Sequence, residues 1–266
     1  MLATHLALAL LAQAPNPPPA DIWQAIDPSR ICTISNLRRL GVGTARPSDA
    51  IETVLPLTVG GREVWRIIHS LARTIDDVPA NGAVSLDVYD LDRATLRPIR
   101  SEHRNPGAGG RPPVVTRFVY EADVARRLNE RGEEIERVTL AGRTPLPEGP
   151  GSAVIFQAIT WREGLRLTGH AVNRFGGTGD ARLHPVIVEV AGRDVVRVGT
   201  RPVPVWVVVQ AARDGSYRTT HHVTIAAPHI IIGVEHSAGN RRPFVTQGLA
   251  LAADPGCAVG TGKAFP

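Results

Sequence analysis

The segment DVYDLDRATLRPIRSEH, residues 87–103, gathers four acidic side chains, three arginines and a histidine. Such a set could bind a cation or carry out acid–base chemistry. Asp90 and Asp92 open a D-x-D pattern of the kind that begins a calcium loop. That loop also needs further oxygen ligands at close intervals, a glycine at its sharp turn and a distal bidentate glutamate. Here Arg93, Ala94 and Leu96 hold the following positions and no glycine arrives. A hairpin accounts for the residues better: a strand ending at Tyr89, a tight connection over Asp90–Thr95 and a returning strand over Leu96–His103. In such a connection Asp92 accepts backbone N–H bonds.

His170, His184, His221, His222, His229 and His236 crowd the second half of the chain. On a strand His221 and His222 point to opposite faces and cannot share one metal, and the seven-residue step from His229 to His236 also splits faces if one strand holds both. No H-E-x-x-H occurs, so a zinc site is unsignalled. The nearest approach to a nucleophile elbow is Gly149-Pro150-Gly151-Ser152-Ala153, with the serine one place late and no strand running into it. Ser152 reads instead as a helix cap. The sequence therefore assigns no catalytic residue, no metal and no cofactor. A hydrolase with a site assembled from loop His, Ser and Asp residues stands as the alternative.

The elements that must position these residues are strands. AVSLDVYD alternates with period two, as does VVTRFVYE. REVWRIIHSLAR, HPVIVEVAG, DVVRVGT, VPVWVVVQAA, YRTTHHVTIAA, HIIIGVEH and PFVTQGLALAA are further candidates. Turn signals such as Ala191-Gly192-Arg193-Asp194 and Arg213-Asp214-Gly215-Ser216 stand between them. ADVARRLNERGEEIERVTL fits a helix or a hairpin turning at Arg131-Gly132. GSAVIFQAITW is the best late helix, and DIWQAIDPSRICTISNLRRLG suggests one short helix from Asp21 and a second ending at Gly41. Strands at short spacing with few crossover helices predict an all-β, mainly antiparallel fold, a curved sheet, half-barrel or incomplete barrel with one or two short helices.

Of the 266 residues, 43% are hydrophobic and 21% charged, enough to bury a core. The net charge is +5, but every basic residue except Lys263 is an arginine, scattered through the strands, and aromatics make up only 5%. Nucleic acid is not the expected partner, since neither a basic stripe nor stacking platforms are present. Residues 1–20 read as a signal peptide and linker: Leu2–Leu11 is a short apolar run and Ala12-Gln13-Ala14 has the small-x-small form of a cleavage site. No run approaches the length of a transmembrane helix. The expected location is the periplasm or the exterior. Cys32 and Cys257 are the only cysteines, and in an oxidising compartment they suggest one disulfide tying distant parts of the chain, against two unconnected buried thiols.

GGREVWRIIHS, then DVYDLDRATLRPIRSEH, then RFVYEADVARRL resembles a group of exported bacterial proteins known as a domain of unknown function. LPEGPGSAVIFQAITWREGLRL, VEVAGRDVVRVGT and VPVWVVVQAARDGSYRTTHHVTIAAPH continue the resemblance over roughly residues 60–252. It implies a fold similar to the half-barrels of periplasmic lipoprotein carriers, whose concave face wraps a helix and shelters acyl chains. GSAVIFQAITW is then the covering helix. The resemblance implies no catalytic residues.

The expected organisation is an N-terminal segment over 21–60 of uncertain structure, a β domain over 61–253 and a tail over 254–266. The expected function is non-enzymatic: binding or carrying a lipidic or other hydrophobic ligand on a concave β face. The residues to line it are Phe156, Trp161, Val205, Val207 and Val209, which plain core packing also explains. A structural or interaction role with an envelope protein partner is the further alternative.

Overall fold

The computed structural model describes residues 18–40, 48–73, 85–105, 114–147, 149–173, 182–237 and 244–253. Sixteen strands among them join one sheet. The first antiparallel run is β2 (Ile34–Leu40), β3 (Ser48–Val59), β4 (Arg62–Arg73), β5 (Ser85–Asp92), β6 (Pro98–Asn105), β7 (Val114–Tyr120), β8 (Val124–Leu128) and β9 (Glu134–Thr139). The second is β11 (Arg166–Asn173), β12 (Arg182–Val198), β13 (Arg201–Ala212), β14 (Arg218–Thr224), β15 (Ile231–Ser237) and β16 (Phe244–Ala253). Within each run every strand pairs with its neighbour in sequence, and short described turns join β3 to β4, β5 to β6, β7 to β8, β8 to β9, β12 to β13 and β13 to β14. Gly60 and Gly61, at φ of 58° and 79°, make the two-residue turn between β3 and β4, where both positions need positive φ.

The two runs meet where β16 pairs with β2, so strands from opposite parts of the sequence lie side by side. At the far end, β1 (Ala20–Asp21) and β10 (Pro145–Leu146) both pair in parallel with the free edge of β11. Two short strands thus cover an edge that would otherwise present unpaired backbone. Among the described residues β9 is not hydrogen-bonded to β11, and the barrel stays open there. Side chains bridge the gap instead: Phe118, Ala125, Val138 and Leu140 pack against Val172 of β11, with Leu183 alongside.

The helix α1 (Ser152–Ala158) lies inside this curl, and all seven of its residues are buried. A helix without a charged residue, polar only at Ser152 and Gln157, is stable when surrounded. Its neighbours in the core include Val54, Ile67, Tyr89, Val188, Val208 and Ile231, from strands of both runs. Phe156 and Ile155 are fully buried, each worth about 1.5–3 kcal/mol of hydrophobic transfer. Polar ties hold the backbone: Gln157 Oε1 accepts from the Cys32 N–H at 3.0 Å, and Ala158 O accepts from the Asp27 N–H at 2.9 Å.

The expected all-β architecture is found, with several local differences. The helix predicted to end near Gly41 is absent, because Ile34–Leu40 is strand β2, held between β3 and β16. The predicted helix from Asp21 is a single 3-10 turn over Ile22–Gln24, capped by Asp21. ADVARRLNERGEEIERVTL is a hairpin, with Gly132 at φ 80° in its turn. HPVIVEVAG and DVVRVGT are one strand, β12, with an irregularity between Val190 and Gly192 where a turn was predicted. Ser152 makes no side-chain cap; its Oγ donates to Gly149 O at 2.7 Å.

Among the described residues no helix is long and apolar enough to cross a membrane. The export signal expected in residues 1–20 falls almost wholly outside the described residues, and so does Cys257. Cys32 is buried at the foot of β2.

Candidate functional site

The charged hairpin of residues 87–103 has two faces with different work. On one, Asp90 is clasped by Arg66, whose Nε and Nη2 donate at 2.7 and 2.8 Å, and by Arg100 Nε at 2.6 Å. Asp92 accepts from the Thr95 N–H and Oγ1 at 2.9 Å each, which shapes the turn as expected from the sequence. No glycine is needed there, because Leu96 adopts φ 57° and is itself fully buried. These carboxylates are structural.

The other face looks into the curl. Tyr89 and Leu91 belong to the core around α1, and Asp87 follows two residues earlier on the same face. Register then sets a row across the inner surface: His69 of β4 opposite Asp87, Asp87 opposite His103 of β6, and His103 opposite Thr116 of β7. His103 Nδ1 lies 2.9 Å from Asp87 Oδ1, and His69 Nδ1 lies 3.7 Å from Asp87 Oδ2. Tyr89 packs edge-on against the His103 ring, centroids 5.4 Å apart. One carboxylate therefore orients two imidazoles.

Burial by itself would raise the Asp87 carboxyl, but hydrogen bonds and charge from His103 and His69 outweigh it and lower it to about 2. Asp87 is an anion at any physiological pH. An imidazole that gives its Nδ1–H to a carboxylate keeps Nε2 as its outward-facing group, in a fixed tautomer. Both rings turn Nδ1 to the same carboxylate, His103 within hydrogen-bond distance and His69 as an ion-pair contact. Among the described residues no group of three His, Cys, Asp or Glu side chains converges as a metal cage would require.

The row opens into a cavity of about 510 Å³. It is lined by His69, Asp87, His103 and Thr116 of the row together with Ser85, Asn105, Val114 and Arg104. That volume is in the range of small-molecule sites. Its lining residues are mostly of polar type, with Val114 the one aliphatic side chain among them.

No family model and no curated protein matches the chain. Among solved structures it is similar to the beta-barrel-like protein of domain of unknown function DUF1849 from Brucella abortus. Identity is 13%, the TM-score 0.46, and the alignment covers 84% of this chain and 96% of that one.

The residues expected to line an apolar surface are divided by the fold. Phe156 and Trp161 stand together, ring centroids 5.2 Å apart, with Trp161 Nε1 donating to Phe156 O at 2.9 Å. Phe156 also meets the His221 ring edge-on at 4.8 Å. His221 pairs with Val208 across β13 and β14. Val205, Val207 and Val209 alternate with Val208 and so stand on the other face of β13. Val205 and Val209 are buried and Val207 is half-buried. Phe156, Trp161 and Val205 belong to one buried core cluster, which Val207 and Val209 do not join.

The histidines singled out from the sequence stay apart: His229 Nδ1 meets Thr224 O at 3.0 Å, and His236 Nδ1 meets Thr219 Oγ1 at 2.8 Å. His184 Nδ1 lies 3.8 Å from Asp214 Oδ2, while the pair that shares one carboxylate, His69 and His103, was not among them. A signal for one half was present: Asp87 and His103 are each eight residues from Thr95, the middle of the hairpin, which puts them opposite each other.

Proposed function

We propose that this is an exported, non-enzymatic binding protein whose ligand is a small polar molecule held at the open end of the concave face. One observation carries the reading: the cavity of about 510 Å³ lined by the His69–Asp87–His103 row. A fixed anion between two oriented imidazoles, with hydroxyls beside them, offers directional hydrogen bonds in a shape preset by four strands. Preset donors and acceptors lower the ordering cost of binding.

An apolar ligand is the second reading, favoured by the curled sheet that wraps α1. The apolar part of the concave face is occupied by that helix, so a lipid would have to displace Phe156 and Ile155 from full burial.

Native mass spectrometry on the exported protein, purified without detergent, tests both. A small adduct carried by the wild type and lost in H103A supports the polar pocket. A lipid-sized adduct retained in H103A and removed by organic extraction favours the apolar ligand. A bare mass for the wild type, before and after incubation with an aqueous extract of small molecules from the producing cells, overturns the polar-pocket reading.

A further inference from the structure

The polar row does not stop at His69. Glu52 of β3 is opposite His69, and Asn36 of β2 is opposite Glu52, so the row continues two strands inward of the cavity. At the usual strand spacing that is about 10 Å. Glu52 forms an ion pair with Arg38, and both are almost completely buried. Around them is an unusual concentration of unmet polar atoms. Among the described residues, Arg38 Nε, Glu52 Oε1, Asn36 Oδ1 and Gln157 Nε2 find no hydrogen-bond partner, while Glu52 Oε2 is taken by Arg38 Nη2. Neither ring nitrogen of His221 finds one, and that histidine is only 6% exposed. Arg38 lies close enough for its charge, after burial, to help keep the His221 ring neutral. Orphaned buried groups are rare in proteins and costly. Here Asn36 and Glu52 stand in one row with His69, which lines the cavity, and Arg38 acts on His221.

The chemistry of these atoms selects a ligand class. Glu52 and Asn36 Oδ1 only accept, Arg38 and Gln157 Nε2 only donate, and a neutral His221 offers one of each. Arg38 and Glu52 cancel in charge. A bare anion would face the Glu52 and Asp87 carboxylates, and an alkyl chain would leave every orphan unmet. Hydroxyl groups, which donate once and accept twice, fit a mixed set. The cavity repeats the pattern with Ser85, Thr116 and the imidazoles.

We propose that the ligand is a neutral saccharide lying across the strands, one end in the cavity over Asp87 and the other on Glu52, Asn36 and His221. This deepens the polar-pocket reading and rests on it. Calorimetric titration of the full chain with mono-, di- and trisaccharides of glucose, galactose and N-acetylglucosamine tests it, with inorganic phosphate alongside. For the sugar that binds, affinity rises about tenfold from mono- to trisaccharide, the worth of a hydrogen bond to a charged group. E52Q and H221F abolish that rise and leave monosaccharide affinity intact, while D87N weakens all lengths. H221F deletes unpaired atoms beside Phe156, so it keeps its fold even if E52Q does not.

A length dependence that is missing, or that survives both variants, overturns the inward extension and leaves the pocket standing. Phosphate binding without any sugar overturns the saccharide and keeps a polar pocket. No binding by either probe overturns the saccharide, and the adduct lost in H103A then decides the pocket separately.

Discussion

Strand β5 passes through two different interiors within a few residues. Leu91 and Tyr89 belong to the buried core cluster that holds α1. Asp87 and Ser85, on the same face, look into open space bounded by histidines and hydroxyls. The sheet is the same and its curvature is shared; what differs is whether a helix fills it. A seven-residue helix reaches only part-way along the concave face, and the remainder is left open beside the His69–Asp87–His103 row. Closed and open ends of one surface thus carry stability and recognition separately.

The sharpest way to break that contrast is to empty the closed end. F156A removes a fully buried ring and is expected to cost about 3–5 kcal/mol, read by denaturant unfolding. A loss under 1 kcal/mol would mean that α1 is loosely held and that the two ends are alike. At the open end the largest effect is one of pH. The Asp87 carboxyl titrates at about 2 in the fold against 3.8 in a free chain. Its folded value is depressed, so its stabilisation is complete above about pH 4 and is lost as the pH falls toward 2. The shift corresponds to about 2 kcal/mol. The wild type should lose that much more stability than D87N across this window, and parallel curves would remove Asp87 from any ionic role. The smallest effect is at the cavity lining: S85A should leave stability within about 0.5 kcal/mol. A larger loss would show that the open end is packed after all.

The strands were legible because apolar residues alternate and short turns join them, as in β5 and β7. Helix α1 was legible from an uncharged run after Gly149-Pro150-Gly151. Strand β2 was not: NLRRL has no decisive period, and its partner β16 is some two hundred residues away in sequence. The same limit applied to the site. Asp87 and His103 face each other by symmetry about Thr95, which a hairpin makes readable. His69 joins them only through the register of β4 on β5, which no short turn sets. The inner cluster needed still more, since Arg38, Glu52, Gln157 and His221 come from three strands and a helix.

The pairing of β16 with β2 has a consequence in time as well as in space. Ile34 lies opposite Ala253, so the seam between the two runs cannot form until almost all of the sequence shown here has emerged. Until then α1 has only part of its enclosure, and β2 has one partner instead of two. Contacts this distant in sequence slow folding. An apolar helix and a bare strand edge would wait together for the last strand, the state in which such a chain is most exposed to aggregation and most in need of a chaperone.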